Sequence, residues 1–305
     1  MNRILTIVGP TASGKTDLAI RIAQKTLGEI ISADSRQIYR YLNIGTAKPD
    51  RAQQKSVTFH LIDFIEPDAR YSCGQFARDA EQRISSIRHK GSIPIVCGGT
   101  GLYIKALFEP LHELPASDNE VKTRLIQQLR DRGINHLYQK LLDVDPVWAQ
   151  RVGPRDTQRI LRGLEIYEMT GKPLSTLLKG KRNIPKYLPY YIGLDLPREE
   201  LYKRIDSRFD TMIAAGFVNE VRALLKKGFD PGKNALRTIG YKEIIEHLRG
   251  KCSLPDAVAK AKRRTRNFAK RQLTWFARIP GVGWYDPRDP HLVAHVVNVV
   301  RTEIG

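Results

Sequence analysis

Apolar and polar positions come in blocks along the first third of the chain. Ile4–Val8 is a short, nearly continuous apolar run and reads as a buried strand. Asp17–Leu27 follows with Leu18, Ile20, Ile22 and Ala23 on one side, a spacing that predicts a helix lying on a sheet. Glu29–Ser32 reads as a second strand and His60–Ile65 as a candidate third, and Cys73–His89 has a helical pattern. Pro94–Cys97 is a further apolar run, closed by Gly98-Gly99-Thr100-Gly101. Strand, helix and strand in succession predict a parallel sheet with crossover helices.

The pattern changes near Leu114. Residues 117–180 are helical in spacing, with turns at Asp131-Arg132-Gly133, Val144-Asp145-Pro146 and Gly171-Lys172-Pro173, and no strand pattern interrupts them. Tyr190–Leu194 returns to strand-like residues, and helices follow from Arg198. The expected organisation is an α/β core over 1–114 and 189–305, a helical insertion domain over 115–188, and a helical C-terminal region.

Composition sharpens the class. The 305 residues are 41% hydrophobic and 27% charged, a globular balance that excludes a disordered chain. No apolar run is long enough to span a bilayer, and the N-terminus lacks the pattern of a secretory signal, so a cytoplasmic protein without membrane contact is expected. Three scattered cysteines suggest neither a disulfide framework nor a zinc site. His60, His112 and His136 show no metal spacing. Lys and Arg total 51 against 32 Asp and Glu, a net charge of +19, which directs attention to a polyanionic partner.

The most specific chemistry is Gly9-Pro10-Thr11-Ala12-Ser13-Gly14-Lys15-Thr16. It fits G-x-x-x-x-G-K-[ST] between a strand and a helix, the phosphate-binding P-loop of NTPase-like folds. Its backbone N–H groups and the helix N-terminus favour an anion. Lys15 is placed to reach an outer phosphate, and Thr16 to help hold Mg2+. The loop alone does not say which di- or triphosphate it binds, and Leu61-Ile62-Asp63 is only a loose match to a Walker-B strand. Asp34 follows the second strand at the sheet edge that carries the phosphate loop. It reads equally as a general base or as a turn residue. Gly98-Gly99-Thr100-Gly101 reads either as a ligand-approach loop with a hydroxyl at Thr100 or as a plain turn.

The segments GPTASGKT at 9–16, ISADSRQIYRYLNIGTAKP at 31–49 and IVCGGTGLYIKAL at 95–107 follow in an order and spacing that resemble the bacterial tRNA dimethylallyltransferases. DTQRILRGLEIYEMTGKPLS, RIDSRFDTMIAAGFVNEV, LRTIGYKE and RNFAKRQLTWFAR extend the resemblance over nearly the whole chain. It implies a P-loop core that holds dimethylallyl diphosphate with Mg2+ and transfers the dimethylallyl group to N6 of adenine 37 in tRNA. Lys15, Asp34 as base and Thr100 through its hydroxyl would be catalytic, and Arg208 would lie near the diphosphate. Matching tRNA contacts are Asp34, Ser35, Arg36, Gln37 and Thr100, then Gln158, Arg159, Ile160, Leu161 and Arg162. The resemblance implies that relatives in eukaryotes carry a C-terminal zinc finger, a module not expected in this chain, which has only Cys252 after residue 97. A monomer is expected.

Residues 257–285 contain no Asp or Glu but hold Lys260, Lys262, Arg263, Arg264, Arg266, Lys270, Arg271 and Arg278. Val258, Ala261, Phe268, Leu273 and Phe276 recur at near-helical spacing, so one face packs and another is cationic. Arg263 and Arg264 are candidate phosphate contacts, with a solvated cationic face as the alternative. Trp275 and Phe276 read as core. The competing functions are a P-loop small-molecule kinase and an isopentenyltransferase acting on free adenylates.

Overall fold

The computed structural model describes residues 2–112, 114–180 and 182–304. The chain divides into two compact units, one formed by Met1–Glu109 with Pro185–Gly305 and the other by Pro110–Ile184.

The first unit opens with β1 (Arg3–Val8), α1 (Lys15–Thr26), β2 (Gly28–Ser32), α2 (Arg51–Ser56), β3 (Phe59–His60), α3 (Cys73–His89), β4 (Ile93–Cys97) and α4 (Gly101–Phe108). The second unit holds β5 (Leu111–His112), α5 (Asn119–Val144), α6 (Pro146–Val152), α7 (Thr157–Thr170), α8 (Leu174–Leu177) and β6 (Arg182–Asn183). The first unit resumes with β7 (Leu188–Leu194), α9 (Arg198–Ala214), α10 (Phe217–Lys226), α11 (Tyr241–Leu248), α12 (Leu254–Phe276), β8 (Gly283–Tyr285) and α13 (Leu292–Val299), which continues into a π-helical turn over Val300–Ile304.

Six strands of the first unit form one sheet in the order β3-β2-β4-β1-β7-β8, all parallel. β1 is apolar on both faces because both faces are covered. Leu5 and Ile7 point into a core with Ile22 of α1, Ile30, Ile95, Ile192 and Val296 of α13. Ile4 and Val8 point into the opposite core with Phe76 and Ile84 of α3, Tyr103 and Leu107 of α4, and Phe276 of α12. A third cluster joins Tyr39 and Leu42 to Phe217, Tyr241, Ala257 and Ala261. Each fully buried side chain of this size stabilises the fold by roughly 1.5–3 kcal/mol relative to exposure. The consequence for function is positional. β2, β4 and β1 are neighbours running in one direction, so residues 9–14, 33–37 and 98–101 all leave the same sheet edge.

The α/β class read from the pattern is the class observed, with differences in detail. The strand expected over His60–Ile65 is only Phe59–His60, because Leu61 and Asp63 take left-handed backbone conformations with φ of 58° and 54°. The basic C-terminal helix stops at Phe276, and Gly283–Tyr285 adds a sixth strand beside β7.

In the second unit α5 and α7 pack around Leu125, Leu137, Leu141, Ala149, Ile160 and Leu164. Asp118, Asp145 and Asp156 cap α5, α6 and α7 through their side chains. α5 kinks at Gly133, where φ is 76°. Among the described residues no helix is long and apolar enough to cross a membrane.

Candidate active site

The phosphate loop joins Val8 at the end of β1 to Lys15 at the start of α1. Gly14 precedes the helix with φ 90° and ψ 11°, a left-handed conformation that glycine takes without steric cost. The buried Gln272 and the half-buried Arg208, from distant segments, hold Thr11. Its N–H donates to Oε1 of Gln272 at 2.8 Å, and its hydroxyl accepts from Nη2 of Arg208 on α9 at 2.7 Å. Lys15 Nζ donates to the Pro10 carbonyl at 2.5 Å. Ser13 is fully buried, and its Oγ has no hydrogen-bond partner among the described residues. Leaving such a hydroxyl unpaired costs roughly 1–3 kcal/mol, which a bound anion would remove.

The cations of the loop are electrostatically uncomfortable in the same sense. Burial pushes the Lys15 ammonium down from 10.5 to about 8, against the opposing pull of the Asp34 carboxylate and with a further push from Arg208. Burial also lowers the Arg208 guanidinium, with Asp34 opposing. Two desolvated cations, an unpaired hydroxyl and a helix N-terminus converge on one turn of chain. Each of these features favours an anion of high charge. The Cys97 thiol beside them is pushed up by burial to about 12, so it stays protonated and inert.

Asp34 follows β2 and does two things with its two oxygens. Oδ1 accepts from the backbone N–H of Arg36 at 2.8 Å and of Gln37 at 3.3 Å, the turn role. Oδ2 has no partner among the described residues and is open to accept a proton. Thr100, the residue before α4, clamps this turn. Its Oγ1 accepts from Ser35 N at 3.0 Å and donates to Ser35 Oγ at 3.3 Å, while Thr100 N donates to the Ala33 carbonyl at 3.1 Å. The Thr100 hydroxyl thus positions the segment that carries Asp34.

The rest of the 31–49 segment is internally braced. The Gln37 amide donates to the carbonyls of Thr46 and Ala47 at 3.3 and 3.0 Å and accepts from Ser32 Oγ at 3.3 Å. Glu220 of α10 accepts from the N–H groups of Asn43, Ile44 and Gly45 at 3.0, 2.8 and 3.2 Å and from the Tyr241 hydroxyl at 2.6 Å. Lys48 donates to the Tyr39 carbonyl at 2.8 Å and to Asp63 at 2.6 Å. Asp63, the loose Walker-B candidate, is therefore the partner of Lys48. Arg36 is held by the carbonyl and side-chain oxygens of Asn234 at 2.8 and 3.2 Å.

Gln272 escaped the sequence reading. It is 7% exposed on α12, receives Thr11 N–H and donates Nε2–H to the Gly99 carbonyl at 2.9 Å. One side chain thus ties the phosphate loop to the glycine loop. The signal was a glutamine on the apolar face of an amphipathic helix, in register with Phe276.

The basic helix needs one correction. Beyond Asp256 in its first turn it lacks acidic residues of its own, but α9 and α11 supply them. Lys260 pairs with Glu246 at 2.6 Å, Lys262 with Asp210 at 2.6 Å, and Arg266 with Asp206 at 2.7 Å. Arg264 pairs at 2.5 Å with Glu243, whose side chain is fully buried. Arg264 is thus a structural ion-pair partner, whereas Arg263, Lys270, Arg271 and Arg278 have no acidic partner among the described residues. Phe276 is core, as read, but Trp275 is 39% exposed.

In the second unit, Gln158, Arg159 and Arg162 lie on α7. Arg159 is exposed, with a loose 3.5 Å pair to Asp156. Arg162 donates to the nearly buried Glu165 at 2.8 Å and to the Pro115 carbonyl at 2.5 Å, so its guanidinium braces the unit. Ile160 is fully buried and Leu161 packs against the same cluster. Ile160, expected among the tRNA contacts, has its side chain packed inside this unit.

No group of three or more His, Cys, Asp or Glu able to hold a metal is present among the described residues. Thr16 offers a hard hydroxyl oxygen in the first turn of α1 with no hydrogen bond among the described residues. That donor fits a Mg2+ ion ligated chiefly by phosphate oxygens and water.

Residues 37–279 match the IPP transferase family, and residues 2–65 match the isopentenyl transferase family. The chain is 45% identical to a tRNA dimethylallyltransferase of Carboxydothermus hydrogenoformans over 99% of this chain and 97% of that one. It is 44% identical to that of Acetivibrio thermocellus over 93% and 91%. Among solved structures it resembles the tRNA isopentenylpyrophosphate transferase of Bacillus halodurans at 34% identity and a TM-score of 0.71, covering 99% and 96% of the two chains. It also resembles a eukaryotic dimethylallyltransferase acting on tRNA, at 29% identity and a TM-score of 0.83, covering 98% of this chain and 78% of that one.

Proposed function

We infer that this chain, which belongs to the IPP transferase family, acts as a tRNA dimethylallyltransferase. It transfers the dimethylallyl group of dimethylallyl diphosphate to N6 of adenine 37 in tRNA, giving N6-isopentenyladenosine and diphosphate. The observation that supports the chemistry best is the convergence at one sheet edge of a desolvated Lys15 and Arg208 with an Asp34 carboxylate that keeps one oxygen free.

The C1–O bond of the allylic diphosphate breaks with its electron pair leaving on oxygen, and a C1–N6 bond forms. Negative charge grows on the diphosphate, where Lys15, Arg208, the Ser13 hydroxyl and the N–H groups opening α1 are placed to receive it. Residues 9–16 cradle the diphosphate, with Gly9, Pro10 and Ala12 shaping the turn. Thr11 contributes mainly by fixing Arg208, since its own N–H is held by Gln272. Thr16 would hold Mg2+, which when bound neutralises charge on the leaving group.

Adenine N6 is a weak nucleophile because its lone pair is delocalised into the ring. Asp34 Oδ2 accepts the proton that N6 loses as the new bond forms, an effect worth about 10²–10⁴-fold. Thr100, through Ser35, keeps that oxygen in place. The adenine must leave the stack of the anticodon loop to reach Asp34, as other base-modifying enzymes require. Arg159 and Arg263 are exposed cations available to RNA phosphates, and Arg36 is half-buried and held by Asn234. The reading carries with it a cytoplasmic location and a monomer.

The test is label transfer from radiolabelled dimethylallyl diphosphate with Mg2+ to either unmodified tRNA or AMP. Label is expected in tRNA. Label in AMP and never in tRNA would make the chain an isopentenyltransferase for free nucleotides. Dependence on ATP would make it a kinase.

A further inference from the structure

Residues 33–50 lead from β2 to α2 without forming helix or strand, and Asp34 is the second of them. Connections this long are ordinarily mobile. A general base, by contrast, must be held within about 0.5 Å of its productive place. Asp34 Oδ1 accepts from the N–H groups of Arg36 and Gln37, so whatever fixes Gln37 also fixes the base.

Gln37 is fixed from the far end of the same segment. Its Nε2 donates to the carbonyls of Thr46 and Ala47 at 3.3 and 3.0 Å. Those carbonyls belong to a turn closed by two backbone bonds, Ala47 N–H to the Ile44 carbonyl and Lys48 N–H to the Asn43 carbonyl, each 3.0 Å. Glu220 of α10 grips the other side of this turn. Its Oε2 accepts from the N–H groups of Asn43 and Ile44 at 3.0 and 2.8 Å. Its Oε1 accepts from Gly45 N–H at 3.2 Å and from the Tyr241 hydroxyl at 2.6 Å. Three successive N–H groups aimed at one point form a nest for an anion, and a carboxylate fills it more strongly than a neutral oxygen. The fit leaves no slack, because a side chain at Gly45 would collide with the Phe217 and Tyr241 rings. Burial and the Glu220 charge hold the Tyr241 phenol well above its ordinary value, so it remains a donor at neutral pH.

We propose that Glu220 is a positioning residue for prenyl transfer, which sets the direction of the Asp34 carboxylate through the 43–47 turn and Gln37. This proposal rests on Asp34 being the base that takes the N6 proton. The path of hydrogen bonds runs within residues 34–47 and onto α10. The phosphate loop is held separately, by Gln272 and Arg208. Glu220 therefore bears on proton acceptance and leaves diphosphate binding alone.

The experiment compares tRNA prenylation by the wild type and E220Q at saturating tRNA. Glutamine keeps the length of the side chain but loses its charge and turns one acceptor into a donor facing the N–H groups. The kcat is expected to fall about 10–100-fold, the loss that a misplaced catalytic group brings, with the KM for dimethylallyl diphosphate unchanged. In a D34N background, E220Q should lower the residual rate by less than about twofold, because no base is left to misplace. A merely structural role would lower both backgrounds by the same factor, and that result would overturn the proposal. E220Q combined with Q37A should be no slower than the slower single variant, since both act along one path. Y241F removes only one of the four bonds to Glu220 and serves should E220Q fail to fold. Its kcat should fall about threefold, with KM unchanged. Wild-type kcat in every variant that folds, E220Q or Y241F, would also overturn the proposal, as would a raised KM for dimethylallyl diphosphate with kcat intact. Failure of the wild type to prenylate tRNA, or full turnover by D34N, would instead strike the reading on which the proposal rests.

Discussion

Raising the pH through about 8 should weaken diphosphate binding, because that is where the buried Lys15 ammonium loses its proton in the free protein. Burial lowers this group from 10.5 to about 8, and a diphosphate on the loop supplies the counter-charge that returns it toward its ordinary value. Between these limits binding takes up a proton. The dissociation constant should rise close to tenfold per pH unit, about 30-fold in all between pH ~7 and pH ~9.5. At pH ~8 complex formation should take up about half a proton, measurable by calorimetry in buffers of different ionisation enthalpy. Cys97 does not interfere, since its thiol is pushed up to about 12. Lys15→Arg carries a guanidinium that stays charged throughout, so its binding should be flat over the same range. A flat profile in the wild type, or the same slope in Lys15→Arg, would refute the reasoning. The stability effect has a definite sign. The folded value lies below the unfolded one, so holding the ammonium costs on the order of 3 kcal/mol below pH ~8, and the cost disappears as pH rises toward 10.5.

Asp34→Asn keeps an oxygen to accept from Arg36 and Gln37 but removes the base, so turnover should fall about 10²–10⁴-fold with tRNA affinity nearly intact; loss of tRNA binding instead would make Asp34 a recognition residue. Arg264→Gln leaves the buried Glu243 carboxylate unpaired and should lower stability in urea titration by about 3–5 kcal/mol, while Arg263→Gln should leave stability unchanged and reduce the salt dependence of tRNA binding. Gln272→Ala removes both the acceptor of Thr11 N–H and the donor to Gly99, so the KM for dimethylallyl diphosphate should rise with little effect on tRNA affinity, as steady-state kinetics with each substrate varied would show.

The residues that could be read from sequence are those whose partners lie nearby. The phosphate loop declares itself within eight residues between a strand and a helix, and the helix read over Cys73–His89 has those limits in the structure. β1, β2, β4 and β7 stand out because strands covered on both faces are short apolar runs. The unread parts depend on distant segments. Gln272 meets Thr11 across 261 residues and Gly99 across 173, and Arg208 meets Thr11 across 197. The partners of Lys262 and Arg266 are 52 and 60 residues away, so a helix that looks cationic in sequence is partly neutralised once α9 and α11 pack beside it. Gly45, Thr46, Ala47 and Lys48 look like a functional motif, but their N–H groups, carbonyls and ammonium brace the turn that carries Asp34.

The most direct measurement of the central claim is positional. An unmodified tRNA transcript is incubated with the protein, dimethylallyl diphosphate and Mg2+, then digested and mapped for prenylated nucleosides. N6-isopentenyladenosine at position 37, absent when adenine 37 is replaced and absent without dimethylallyl diphosphate, is the expected result. Prenylation at other adenines, or none while free AMP is prenylated, would contradict the account.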